Sequence, residues 1–261
     1  MLRAAHQLVD VPPVFADPLA LRVVGAAAEE ELRARGGLES VGLRAFVAVR
    51  SRFAEDRLAD ARTRGIDQYV VLGAGLDTFA FRTRPRGLRV FEVDHPATQA
   101  WKREMLSAAG IAEPKELVFT PLDFEQETLR KGLSRTSFDF TRPAFFAWLG
   151  VTPYLTPQAI AAALTEIAKS AAGSELVFDF AAPPGNSPKE RMAREALSQR
   201  VAALGEPFRT VLEPAALLVQ LRDLGFCRAE IEDCARLNAR YFADRADGLR
   251  LRAGQLTHAW T

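Results

Sequence analysis

Cysteine is almost absent from this sequence, with only Cys227 and Cys234 among 261 residues. Both fall late in the chain, at a spacing that matches no paired zinc-ligand set, and both are expected to be ordinary buried or half-buried thiols. Histidine is nearly as scarce. His6, His95 and His258 are scattered, with no HExxH arrangement and no carboxylate cluster about them, so neither a structural nor a catalytic metal is expected. Long apolar runs are missing too: stretches such as Ala144 to Val151 fall far short of the ~20 residues that span a bilayer. No membrane segment is expected. The segment Met1 to Pro13 holds one early arginine, an interrupted apolar stretch and two prolines, without the charged start and continuous apolar middle of a signal peptide. The expected location is therefore cytoplasmic. There is also no charge of one sign in excess. Lys plus Arg is 34 against Asp plus Glu at 33, so no overall field recruits nucleic acid or an anionic membrane surface. No internal repeat or low-complexity tract is visible.

What is present is apolar content, 48% of the chain, enough for one sizeable α/β core. Residues 1–64 read as a helical cap. Pro18 opens a helix through Leu21, Val24 and Ala28, stopped by Gly36-Gly37, and a longer helix runs from Val41 through Phe46, Phe53 and Leu58 to Ala61. The period then changes. Tyr69 to Leu72 is a short continuous apolar run ending at Gly73, as a strand buried on both faces reads. Further strands are expected over Leu88 to Val93, Leu117 to Phe119, Ala144 to Leu149, Glu175 to Phe180, Phe226 to Ile231 and Gln255 to Trp260. Helices are expected over Ala97 to Ala109, Gln158 to Ser170, Lys189 to about Leu204 and Pro214 to Leu224, with Thr156-Pro157 in N-cap and N1 order before the second of these. The alternation predicts one domain with a mostly parallel seven-stranded sheet and helices on both faces. Pro183 to Pro188 is loop-like, and residues 181–224 read as an insert able to close over a substrate.

The informative segment is Val70-Val71-Leu72-Gly73-Ala74-Gly75-Leu76-Asp77-Thr78, a buried strand running into a Gly-x-Gly turn. The next strand ends in Asp94, 19 positions past Gly75, the spacing at which a carboxylate takes ribose hydroxyls. A dinucleotide fingerprint wants a third glycine where Thr78 stands, and it seats a pyrophosphate where this chain places Asp77. A carboxylate beside a pyrophosphate costs electrostatic energy, whereas it is compatible with a sulfonium and ammonium cofactor that has no phosphate. The loop therefore points to S-adenosylmethionine over NAD. The alternative for Asp77 is plain charge complementation of a helix N-terminus, and for Asp94 an exposed turn residue before Pro96.

These segments resemble the leucine carboxyl methyltransferase superfamily, in its bacterial branch of S-adenosylmethionine-dependent, polyketide O-methyltransferase-like enzymes. The resemblance rests on Asp17-Pro18-Leu19-Ala20, the run Val49 to Asp56, Val71 to Thr78, Phe91-Glu92-Val93-Asp94-His95-Pro96, Leu122-Asp123-Phe124, Trp148 to Leu155 and Leu237 to Phe242. It implies a Rossmann-like class I methyltransferase fold with S-adenosyl-L-methionine as cofactor. It further implies that Arg50 pairs with the cofactor carboxylate, that Gly73, Ala74 and Gly75 let the backbone approach the methionine part, and that Asp94 holds the ribose. Asp77, His95 and Leu149 border that pocket, and Leu122, Asp123 and Phe124 flank the adenine. One departure stands out: the carboxyl methyltransferases proper carry a glutamate where this chain has Leu149. The change makes the acceptor side more apolar and puts the substrate, more than the cofactor, in question.

Methyl transfer from a sulfonium needs alignment and exclusion of water more than side-chain chemistry. A carboxylate acceptor is already ionised at pH 7 and needs no base; a hydroxyl acceptor does, and His95 and Tyr154 are the candidates. Arg240 and Tyr241 are candidates to meet an acidic substrate. The expected partner is a small, partly apolar methyl acceptor taking the methyl on oxygen. Two other readings stay open, an NAD-dependent oxidoreductase and a non-catalytic S-adenosylmethionine-binding protein.

Overall fold

The computed structural model describes residues 1–34, 41–83, 86–184, 188–203, 205 and 207–261. It opens with α1 (Leu2–Val9), α2 (Leu19–Val24), α3 (Ala26–Ala34) and the long α4 (Val41–Thr63). The helix expected from Pro18 through Ala28 is divided at Gly25, whose N–H closes α2 on the Leu21 carbonyl at 3.1 Å. Its expected stop at Gly36-Gly37 lies outside the described residues. α1 falls in the expected helical cap but was not delimited as an element of its own; its buried face is small, Ala4, Ala5 and His6. A buried polar network holds it instead. His6 Nε2 accepts from Val14 N at 3.0 Å, which leaves the proton on Nδ1 to donate to Asp10 Oδ2 at 2.7 Å. Arg44 of α4 donates to both Asp10 oxygens, at 2.7 and 2.9 Å. Burial by itself raises the Asp10 carboxyl; His6 and Arg44 outweigh it and hold the group at about 2.

The sheet follows as β1 (Gln68–Leu72), α5 (Phe79–Arg82), β2 (Arg89–Asp94), α6 (Pro96–Ala108), β3 (Leu117–Pro121), α7 (Leu129–Leu133), β4 (Phe145–Trp148), α8 (Pro157–Ala168) and β5 (Glu175–Phe180). α9 (Pro188–Ala203), α10 (Pro214–Leu224), β6 (Arg228–Glu232), α11 (Cys234–Tyr241) and β7 (Gln255–Trp260) complete it. The strand order is β3-β2-β1-β4-β5-β7-β6, with β1 to β5 parallel and β7 antiparallel to both its neighbours. Alternate residues feed two cores. Tyr69, Val71, Val90 and Ala147 pack with α4, α5 and α6 on one face. Val70, Leu72, Phe91 and Trp148 pack with α7, α8 and α10 on the other. In the 181–224 stretch, Leu217 and Leu221 of α10 are buried in that second core. Cys234 is half-buried, whereas Cys227 is exposed, a correction to its expected burial: it precedes the edge strand β6, where Phe226 takes the inward position. No described helix is long and apolar enough to cross a membrane.

Register decides where chemistry can gather. Leu72 pairs with Val93 on one side and Trp148 on the other, and Trp148 pairs with Phe178. The residues one step beyond, Gly73, Asp94, Leu149 and Asp179, therefore lie side by side at the C-terminal edge of the sheet, where ligands of open α/β sheets bind.

Candidate cofactor and acceptor site

Gly73 turns off β1 with φ of +63°, and its N–H donates to the Val93 carbonyl at 2.7 Å. A Cβ at this position would meet Val151 Cγ2 at 2.2 Å, so the residue has to be glycine both for its backbone and for its neighbour. Next along the loop, Gly75 N–H donates to Asp94 Oδ2 at 2.5 Å, while Asp94 Oδ1 accepts from His95 N at 2.7 Å. An ionised carboxylate has about four acceptor positions, so two remain for hydroxyl donors.

Asp77 takes the helix-start role considered from the sequence, and its charge is met by the chain's own arginine. Its Oδ1 accepts from Phe79 N at 2.8 Å at the start of α5, and its Oδ2 faces a cation, Arg3 of α1, at 3.3 Å. Burial raises this carboxyl, but Arg3, Lys102 and Arg82 prevail and hold it below its ordinary value. Arg3 also reaches Ser51 Oγ at 3.2 Å and Asp17 Oδ2 at 3.3 Å, and Asp17 accepts from Thr78 Oγ1 at 2.7 Å. The cap is thus tied to the glycine loop through Asp17, Arg3 and Asp77, which sequence spacing could not reveal. Beneath the loop, Lys102 Nζ lies 2.5 Å from Glu92 Oε2, with both side chains buried. Burial pushes Glu92 up to about 7 despite this partner.

Arg50 comes from the middle of α4. Its guanidinium lies against Gly150, where a Cβ would sit 2.4 Å from Nη2 and 2.8 Å from Cζ and Nη1. Asp179, at the end of β5, fastens both: Oδ2 accepts from Arg50 Nη1 at 3.0 Å and Oδ1 from Gly150 N at 2.5 Å. Asp179 is not among the residues expected from the sequence, although an acid inside the apolar run Leu176-Val177-Phe178-Asp179-Phe180 marks it out.

Across the loop from β3, Leu122 is buried and its N–H donates to the Asp94 carbonyl at 2.8 Å. Asp123 Oδ1 accepts from Glu125 N at 2.9 Å, and the Phe124 ring lies 6.0 Å from Trp148. On the other side, half-buried Leu149 is followed by Val151 and then Tyr154, whose ring is 5.6 Å from Phe208. His95 is exposed and its Nδ1 accepts from Ala97 N at 3.2 Å, capping α6. Arg240 and Tyr241 do not join this cluster. Arg240 pairs with Glu232 at 3.4 Å and Tyr241 OH donates to Asp56 Oδ2 at 2.9 Å, because α11 packs beside β6 and α4, away from the loop. Burial pushes the Tyr241 hydroxyl up, which keeps it a donor. A separate groove of about 360 Å³, between Phe15, Glu55, Phe79 and Arg82, shares none of the expected cofactor residues.

The leucine carboxyl methyltransferase family matches residues 1–168, which include α1, Arg50, the glycine loop, Asp94 and β4. The chain belongs to this family. Among curated relatives, YktD of Bacillus subtilis (strain 168), named "Putative S-adenosyl-L-methionine-dependent methyltransferase", is 34% identical over 204 residues, covering 77% of this chain and 67% of its own. A protein of the same description from Mycolicibacterium paratuberculosis is 37% identical over 164 residues, covering 61% and 52%. This family member thus spans about half to two thirds of the length of these relatives. Among solved structures, one titled a putative methyltransferase from Thermobifida fusca YX superposes with a TM-score of 0.60 at 18% identity, covering 100% of this chain and 94% of its own. That likeness speaks for the fold alone, which is the class I methyltransferase fold.

Proposed function

We propose that this chain transfers a methyl group from S-adenosylmethionine to an oxygen of a small, partly apolar molecule. The observation that carries the reading is the seam at the sheet edge, where Gly75 N–H meets Asp94 Oδ2 at 2.5 Å while the Arg50 guanidinium lies on Gly150. A cofactor with a carboxylate at one end and a ribose at the other suits that donor and acceptor set. Arg50 would take the carboxylate, the open lone pairs of Asp94 the ribose hydroxyls, and Asp123 with Phe124 the adenine. A pyrophosphate suits it poorly, since Asp77 places a carboxylate where a dinucleotide loop seats its phosphates. When bound, the cofactor supplies an activated methyl group on sulfur.

The rest falls to the protein. The seam holds the cofactor, and Val151 with the Tyr154–Phe208 ring pair offers an apolar side toward the acceptor. A carboxylate acceptor is favoured over a hydroxyl, because His95 Nδ1 is committed to the Ala97 N–H and a carboxylate requires no proton removal. The test is a transfer assay with methyl-labelled cofactor against apolar carboxylic acids and phenols. Label released as methanol by mild base marks methyl esters and is the expected product; base-stable label marks ethers. Cofactor binding without transfer to any acceptor contradicts the enzyme reading and leaves a binding protein.

A further inference from the structure

Asp179 stands at the join between the two halves of the site. It is 3% exposed, and each of its side-chain oxygens serves a different element. Oδ1 accepts from Gly150 N at the exit of β4, Oδ2 accepts from Arg50 Nη1 on α4, and its own carbonyl accepts from Thr152 Oγ1 at 2.7 Å. Among the described residues, Nε and Nη2 of Arg50 have no protein partner, and the side chain keeps 22% exposure. Nη1 is therefore anchored, Gly150 lies against the Nη end of the guanidinium, and the Nε and Nη2 N–H groups are left to offer. A long arginine held this way has already lost most of its rotamer freedom before any ligand arrives.

The neighbouring register adds a second point. Because Trp148 pairs with Phe178, Asp179 lies beside Leu149 on the adjacent strand. The acidic function absent from position 149 is thus present one strand over, turned toward Arg50 and the backbone of the acceptor-side turn.

Resting on the cofactor reading above, we propose that Asp179 is a positioning residue that fixes Arg50 against Gly150 so that its remaining N–H edge captures the carboxylate of the methionine moiety. Asp179 touches neither cofactor nor acceptor; it acts through Arg50.

The test separates the carboxylate end of the cofactor from its nucleoside end. S-adenosylhomocysteine carries the carboxylate, whereas 5′-methylthioadenosine has the same adenosine and thioether without it. Asp179→Asn keeps an acceptor for Gly150 N but removes the charge facing Arg50. It is expected to raise the Kd for S-adenosylhomocysteine about tenfold and that for methylthioadenosine less than about twofold, with Asp179→Glu recovering part of the loss. In an Arg50→Ala background, Asp179→Asn is expected to add no further loss, which also gives a reading if the single variant folds poorly. Equal weakening of both ligands, no change in either, or a full additional loss in the Arg50→Ala background would overturn the proposal. If the wild-type protein binds neither nucleoside, the cofactor reading itself fails, and this proposal fails with it.

Discussion

Val151 occupies the space that a side chain at Gly73 would need, its Cγ2 lying 2.2 Å from the position of a Cβ there. The turn after β1 and the turn after β4 are therefore interlocked at the edge where the cofactor is proposed to bind. This contact links a property legible in one dimension, a glycine after an apolar strand, to one that is not, the residue that presses on it from 78 positions away.

Gly73→Ala should accordingly lose stability twice, by ~1–2 kcal/mol for a left-handed backbone with a Cβ and by a further ~1–3 kcal/mol for overpacking. Val151→Ala in the same chain should restore much of the second part and little of the first. Urea unfolding of the two single variants and the double variant checks this. Additive losses would show that the two turns are not coupled.

The cap should depend on the buried network of His6, Asp10 and Arg44. Arg44→Ala strands the Asp10 carboxylate and should cost ~3–5 kcal/mol, with proteolysis appearing first in α1. Because the folded Asp10 value, about 2, lies below its ordinary 3.8, its contribution is complete above about pH 4 and disappears as pH falls toward 2. The stability gap between wild type and variant, followed from pH 6 to pH 2, should therefore close. A constant gap would contradict the network.

Glu92 has the opposite sign. Its folded value of about 7 exceeds the ordinary 4.5, so the folded chain holds a proton that the unfolded chain releases between those limits. Its contribution is best below pH 4.5, declines as pH rises to about 7, and is flat beyond. Stability of wild type relative to Glu92→Gln should thus fall by ~1–3 kcal/mol between pH 4.5 and 7.5. An equal difference at both ends would remove Glu92 as the titrating group.

The architecture was legible where a strand is a short apolar or alternating run set off by a nearby glycine, Gly73, Gly173 or Gly254. Tyr69 to Leu72, Glu175 to Phe180 and Gln255 to Trp260 were read to within a residue of β1, β5 and β7. α1, α7 and α11, five to eight residues long, were not delimited, although α1 and α11 are amphipathic. The loop and Asp94 were legible because a short motif and one following strand contain them. Arg3, Asp179 and the Glu92–Lys102 pair were not: their partners are set by strand register and helix packing, to which the spacing of residues along a chain is blind. Arg240 and Tyr241 failed for the same reason, having nearer carboxylates in Glu232 and Asp56.

Calorimetric titration of the protein with S-adenosylhomocysteine and with NAD, on wild type and Asp94→Ala, tests the proposed cofactor pocket at its ribose end. S-adenosylhomocysteine alone should bind, and Asp94→Ala should weaken it at least tenfold, a loss of ~1.4 kcal/mol or more. Binding of NAD, or S-adenosylhomocysteine affinity unchanged by Asp94→Ala, would contradict it.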